Sequence, residues 1–167
     1  MKEQILNLRK FIDGLANLVD FENYIASVHL KRTHDSLLFA KAWLGALLRE
    51  LGEETPYKND GKRITAEHIE PTADTGKLIF FWGVEGNLLI GTKKEDHGSD
   101  ITVQPTLIQK VDALREHIKG LCDQVQKLDA ETKLTTREQS ICRTNAWNYL
   151  VEARFHLGFE LQRIKES

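Results

Sequence analysis

Two stretches of this chain place positive charges close to aromatic side chains. Lys31 and Arg32 stand beside His34, and Arg143 precedes Trp147 by four residues. An arginine fork binds phosphate oxygens in pairs, and flat aromatic rings stack on nucleobases. These residue types therefore indicate a binding site for a small anionic nucleotide. The alternative interpretation is that the aromatic residues belong to the core and the cations are solvated on the surface, without a ligand.

Patterns typical of catalysis or metal binding are sparse. Cys122 and Cys142 lack CxxC spacing, and the helical periodicity around them predicts buried, reduced thiols. Glu152, His156 and Glu160 share a helix face at four-residue spacing. A carboxylate–histidine metal centre takes matching ligands from facing helices, and the sequence offers no such set. We interpret this trio as a solvated charged face and expect no catalytic residue, metal or cofactor.

One acidic cluster supports a different hypothesis. Glu50, Glu53 and Glu54 are similar to part of the Mg²⁺-binding cluster of all-α nucleotide pyrophosphohydrolases. Those enzymes need a second spaced set of acidic residues on another helix, which the sequence does not offer. A hydrolase is therefore the third choice.

The first third of the chain has the pattern of a helical hairpin. Apolar residues at steps of three and four predict a helix over 3–19, and Asp20 is placed to cap a second helix that runs to about Leu51. Gly52 supplies its stop. Residues 53–76 are then predicted to form a long loop, and 77–91 a small β-hairpin whose first strand is apolar on both faces.

A second helical hairpin is predicted after this insertion. Pro105 is expected to open its first helix, and Thr135-x-x-Glu138 is a capping-box sequence for the last helix. The short link between these helices predicts antiparallel neighbours. An unbroken heptad seam runs along the third helix, formed by Leu107, Val111, Leu114, Ile118, Leu121, Val125 and Leu128.

The two hairpins share a phrase that aligns without a gap. Leu and Ala recur at helical spacing around Gly45 in the second helix and around Gly158 in the fourth, which favours duplication or a shared packing role, although chance recurrence is a real alternative. Glycine within a helix costs about 0.5–1 kcal/mol relative to alanine, so close approach of another backbone is expected at both glycines, with simple neutrality as the alternative. The two copies are Leu37-x2-Ala40-x3-Leu44-Gly45-x2-Leu48-x2-Leu51 and Leu150-x2-Ala153-x3-Leu157-Gly158-x2-Leu161-x2-Ile164.

Size and composition fit one mainly α domain. The chain has 167 residues, 41% of them apolar, and a net charge of −2. A net charge this close to zero does not indicate binding to duplex nucleic acid or to a membrane surface. No apolar run reaches the roughly 18–20 residues of a membrane span. We expect a cytoplasmic protein in which two antiparallel helical hairpins form a bundle. The single domain, 1–167, divides into hairpin 3–51, a middle segment 52–104 and hairpin 105–165.

The last helix resembles the helical-hairpin signature of phage anti-CBASS and anti-Thoeris sponge proteins. Those carry an Arg-Glu-x-Ser-Leu-Ala-x-Thr run followed by Glu-Ala-Arg-x-x-Leu-Gly, and Ala40 to Gly45 echoes the second half. The matching residues here are Arg137-Glu138-Gln139-Ser140-Ile141-Cys142-Arg143-Thr144 and Glu152-Ala153-Arg154-Phe155-His156-Leu157-Gly158.

The resemblance implies a non-enzymatic function. Such proteins sequester cyclic nucleotide or cyclic ADP-ribose messengers without cleaving them, usually as homo-oligomers, and so suppress host antiphage defence. By resemblance the ligand-facing or hairpin-defining set is Arg137, Glu138, Ser140, Thr144 and Arg154, to which residue chemistry adds Lys31, Arg32, Arg143 and Trp147. The second hypothesis is a helical assembly protein without a small ligand, based on the heptad seam and the apolar β-hairpin.

Overall fold

The computed structural model describes residues 2–21, 27–53, 78–82, 88–92, 106–132 and 134–167. The helices are α1 (Lys2–Phe21), α2 (Val28–Glu50), α3 (Leu107–Thr132) and α4 (Arg137–Glu166). Two strands, β1 (Leu78–Trp82) and β2 (Leu88–Thr92), pair antiparallel, with Phe80 opposite Ile90. The mainly α class and the packed bundle are confirmed, whereas the predicted loop 53–76 lies almost entirely outside the described residues.

The core consists of the apolar stripes that the spacing predicts. In α3 the heptad seam is buried except at its first residue, Leu107, which is 37% exposed at the start of the helix. The apolar stripe of α1 and both copies of the repeated phrase contribute to the same cluster. No helix in the described part of the chain has the length and apolar character needed to cross a membrane.

Two predicted helix starts are wrong because a different side chain makes the cap. Asp20 lies inside α1, and Ser27 caps α2: its hydroxyl accepts from the Leu30 backbone N–H. The capping box of α4 is shifted by one residue, to Thr136 and Gln139, and Gln139 also donates from Nε2 to the carbonyl of Glu50.

The end of α2 and the start of α3 also have identifiable signals. Gly52 has a φ of 86° and donates to the Arg49 carbonyl, while Glu53 donates to Leu48, which together make a Schellman motif. The predicted stop at Gly52 is therefore confirmed. Helix α3 begins at Leu107 rather than Pro105, which lies outside the described residues, and Thr106 and Gln109 exchange capping hydrogen bonds.

Side-chain contacts fix the relative direction of α2 and α4. The Ser27 hydroxyl at the start of α2 donates to Glu160 near the end of α4. At the opposite end, Gln139 bonds the last carbonyl of α2 at Glu50. The two helices therefore run antiparallel through the middle of the bundle, with α1 packed on α2 and α3 packed on α4.

Candidate anion-binding site

One side of α4 carries cations and an indole in a single line. Intervals of four, seven and four residues place a set of side-chain positions on one helical face. These positions are Arg143, Trp147, Arg154 and Gly158. Trp147 is partly buried and packs against the core. Three of the predicted site residues are thus brought together on one side of α4.

That face of α4 lies against α3. A Cβ built on Gly158 would lie 3.5 Å from Nη2 and 3.6 Å from Nε of Arg115, which belongs to α3. The close neighbour of Gly158 is therefore a guanidinium, and the expected approach of another backbone is wrong at this position. Arg115 joins Arg143, Trp147 and Arg154 in what we call the cationic stripe.

Two guanidinium groups of the cationic stripe lack an acceptor at a buried atom. The Nε atoms of Arg115 and Arg154 are shielded from solvent, and in the described part of the chain neither has a hydrogen-bond partner. Asp112 is 4.0 Å from Nη1 of Arg115, but it is a half-exposed residue one turn away and does not reach Nε. A buried donor without an acceptor costs about 1–3 kcal/mol, so an anion bound here gains what the protein leaves unsatisfied.

The other predicted site residues lie outside the cationic stripe. Lys31 and Arg32 are exposed on α2, which packs on α1 and α4. Arg137 and Thr144 are exposed on α4, and the Thr144 hydroxyl accepts from Nη2 of Arg143 at 3.5 Å.

The thiols are poorly suited to covalent chemistry. Cys122 and Cys142 are both free and buried, as predicted. Burial is the largest cause that raises the pKa of Cys122, to about 11; Asp123 adds to the rise, and the positive charge of Arg154 opposes it. Burial also raises the pKa of Cys142. A nucleophilic cysteine needs the opposite shift.

The prediction that Glu152, His156 and Glu160 form a solvated face is wrong for Glu160. Glu160 is completely buried, because its carboxylate accepts hydrogen bonds from the Ser27 hydroxyl and from the Arg163 guanidinium, with Nε at 3.0 Å. Burial acts to raise the pKa of Glu160, but these two partners outweigh it and hold the pKa below its ordinary value.

A shallow cavity of about 330 Å³ opens beside this network, at the end of α4. The guanidinium group that lines this cavity belongs to Arg163 and already binds Glu160. The cavity therefore offers an anion less unsatisfied positive charge than the cationic stripe does. It is lined by His29, Phe159, Gln162, Arg163, Glu166 and Ser167.

Aromatic residues are exposed on the outer side of the α2–α4 pair. Phe39 stacks on Tyr149 with ring centroids 5.1 Å apart, and His29 lies 5.7 Å from Phe159. Phe155 is 64% exposed and Phe159 is 51% exposed. We call Phe155 and Phe159, four positions apart on α4, the aromatic row; it is separate from the cationic stripe.

The described fold and this site define a helical bundle with a cationic stripe on its second helix pair. No family model matches the chain, and neither a curated protein nor a solved structure is significantly similar to it.

Sequence reasoning missed Arg115 and the burial of Glu160. Arg115 follows Leu114 of the heptad seam, and a charged residue beside a seam is ordinarily solvated. A signal for it does exist, because Leu8-Arg9 in α1 repeats as Leu114-Arg115 in α3. Glu160 has no comparable signal, because its partner Ser27 is 133 positions away.

Proposed function

We propose that this protein binds and sequesters a cyclic nucleotide or cyclic ADP-ribose-type signalling molecule without cleaving it. The observation that carries the proposal is the pair of buried guanidinium Nε atoms on Arg115 and Arg154, with Trp147 on the same face of α4 as Arg154. A phosphate or pyrophosphate group supplies acceptors to both forks, and a base stacks on the indole. Suppression of host antiphage defence and a cytoplasmic site of action belong to the same proposal.

The non-catalytic part of the proposal rests on the groups near the ligand. Guanidinium and indole side chains bind and orient phosphates and bases, and they do not act as nucleophiles at neutral pH. The neighbouring thiol of Cys122 is buried and protonated. Sequestration then follows from mass action, so affinity and abundance set the free messenger concentration.

Calorimetric titration against cyclic dinucleotides, cyclic trinucleotides and cyclic ADP-ribose isomers tests the proposal. We expect tight binding of one class, with the ligand recovered intact by chromatography. Arg115→Gln and Arg154→Gln should each weaken binding about 10- to 100-fold, because a hydrogen bond to a charged group contributes roughly 1.5–3 kcal/mol.

Arg49→Gln is the matched control, because it removes an exposed arginine of α2 and should leave the affinity unchanged. Lys31→Gln and Arg32→Gln show whether the cations of α2 add to binding. Silence across the panel, or release of a cleaved product, would refute the proposal. Equal losses in Arg49→Gln and Arg154→Gln would move the site away from the cationic stripe.

The second candidate function is an assembly protein, and the aromatic row favours it. Exposed aromatic side chains that lie close together on a surface are typical of protein–protein contacts. Under this hypothesis the chain forms a homo-oligomer, and the β1–β2 pair is an insertion that adds to the interface. The double substitution Phe155→Ser and Phe159→Ser should then reduce the sedimenting mass to that of one chain. A mass of one chain before substitution would exclude the assembly protein.

A further inference from the structure

The relationship between the two hairpins extends beyond α2 and α4. When the sequences of α1 and α3 are aligned, identical residues recur without a gap, and they include an arginine and a glycine. The two copies are Leu8-Arg9-x2-Ile12-x-Gly14-Leu15-x3-Val19 and Leu114-Arg115-x2-Ile118-x-Gly120-Leu121-x3-Val125. Each helix of the first hairpin thus has a counterpart in the second.

The packing of the helices agrees with this correspondence. Phe11 and His117 are counterparts, and their rings lie 5.8 Å apart, between α1 and α3. In a pair of related units, a residue contacts its own counterpart where a twofold axis passes. Helices α2 and α4 are also counterparts and pack antiparallel, as a twofold arrangement requires, so the chain resembles a dimer of hairpins joined into one polypeptide.

In the first hairpin, Arg9 and Lys41 both have partners in place. Arg9 donates from Nε to the Lys41 carbonyl at 3.3 Å, and the Lys41 ammonium lies 2.7 Å from Oδ1 of Asp13. The ammonium of the first hairpin therefore has a carboxylate partner in place, one turn along α1 from Arg9.

The second hairpin has the same positions with different charges. Arg115 is the counterpart of Arg9, Arg154 replaces Lys41, and Lys119 replaces Asp13. At these three positions, two cations and one carboxylate in the first hairpin become three cations in the second, where Asp112 lies 4.0 Å from Nη1 of Arg115. The buried Nε atoms of Arg115 and Arg154 then have no acceptor among the described residues.

We propose that the second hairpin holds one phosphate-class anion in the role that the Asp13 carboxylate has in the first hairpin. Arg115, Lys119 and Arg154 bind it, and the Asp13–Lys41 ion pair closes the corresponding position of the first hairpin. Each chain therefore binds a single anion. The nucleotide identity of that ligand rests on the proposed function, whereas the site itself does not.

Titration with inorganic pyrophosphate at low ionic strength, followed by calorimetry and thermal unfolding, tests the anion site directly. The unmodified protein should bind one equivalent and unfold at a higher temperature. Lys119→Asp should weaken pyrophosphate binding at least 10-fold and raise the unfolding temperature of the ligand-free protein, because the new carboxylate pairs with Arg154 as Asp13 pairs with Lys41. Lys119→Gln, the matched control, should weaken binding less and leave that temperature unchanged.

The reciprocal change uses the first hairpin. Asp13→Lys should add a second equivalent of pyrophosphate, whereas Asp13→Asn, which keeps the shape without a cation, should not. Absence of the second equivalent overturns the role given to Asp13. Two equivalents in the unmodified protein, no pyrophosphate binding, or unchanged binding in Lys119→Asp overturns the single-anion site.

The outcomes separate this inference from the proposed function. Pyrophosphate binding that Lys119→Asp removes, together with silence toward every cyclic nucleotide, leaves the anion site standing and refutes the proposed ligand. Nucleotide binding that Lys119→Asp leaves unchanged refutes the anion site and leaves sequestration standing.

Discussion

Acidification from pH 7.5 to pH 4 is expected to remove about 3 kcal/mol of folding stability through His117 alone. The imidazole is 2% exposed in α3, and burial lowers its pKa from 6.5 to about 4. Because the unfolded chain takes up the proton at higher pH than the folded one, the stabilising effect of the neutral ring is complete above pH 6.5. It is lost as the pH falls toward 4. Urea unfolding at several pH values measures this slope.

Substitution of His117 identifies the group responsible for the slope. His117→Phe places at this position the residue that its counterpart Phe11 has in α1, and it should flatten the dependence between pH 6.5 and 4.5. Phe11→Leu is the control, because it removes the ring contact at 5.8 Å and keeps the titrating group. It should lower stability at every pH and preserve the slope. An unchanged slope in His117→Phe would contradict the prediction.

Replacement of Glu160 by alanine should destabilise the fold by about 2–3 kcal/mol at pH 7. The carboxylate is buried, and its removal leaves a small void and takes away the acceptor that the Ser27 hydroxyl uses. This cost is smaller than the roughly 3–5 kcal/mol for breaking a fully buried ion pair, because Arg163 is half-exposed and regains water. Denaturant unfolding gives the difference in free energy.

Two further variants isolate the contact between α2 and α4. Ser27→Ala should cost about 1 kcal/mol as a lost helix cap, and the double variant Ser27→Ala with Glu160→Ala should cost less than the two together. Glu152→Ala removes an exposed carboxylate of the same helix and should change stability by less than about 0.5 kcal/mol. A Glu160→Ala variant as stable as Glu152→Ala would show that the buried network contributes nothing.

Acid has a separate effect on Glu160. Its pKa lies below the ordinary 4.5 in the folded protein, because Arg163 and Ser27 outweigh the effect of burial. The stability from this carboxylate is therefore present above pH 4.5 and is lost as the pH falls through the lower folded value. The interval from pH 6.5 to 4.5 thus reports on His117 before Glu160 contributes.

The helices could be predicted from the sequence, because the residues that are buried recur at the three- and four-residue spacing of the apolar residues. The seam from Val111 to Leu128 is buried as its spacing indicates. Helix starts were less predictable, because several side chains compete for each cap. Asp20 and Ser27 are both good capping residues, and Ser27, the one that caps α2, also donates to Glu160, which is distant in sequence.

The candidate site was partly predictable for the same reason. Arg143, Trp147 and Arg154 lie on one helix, so their spacing places them on one face. Arg115 comes from α3, and its contact with Gly158 depends on how the two helices pack. The charge difference between Asp13 and Lys119 is visible in the sequence, but it has meaning only after α1 and α3 are recognised as counterparts.

The hydrogen bond between Ser27 and Glu160 also has a consequence for the order of folding during synthesis. The Ser27 hydroxyl that caps α2 gains its own acceptor only when Glu160, near the end of α4, has been added 133 positions later. Contacts between such distant positions close a long stretch of chain, and they form late. A nascent chain that ends before α4 therefore carries a first hairpin whose long inner face is uncovered. We expect such a chain to be captured by chaperones on the ribosome and released once α4 has emerged.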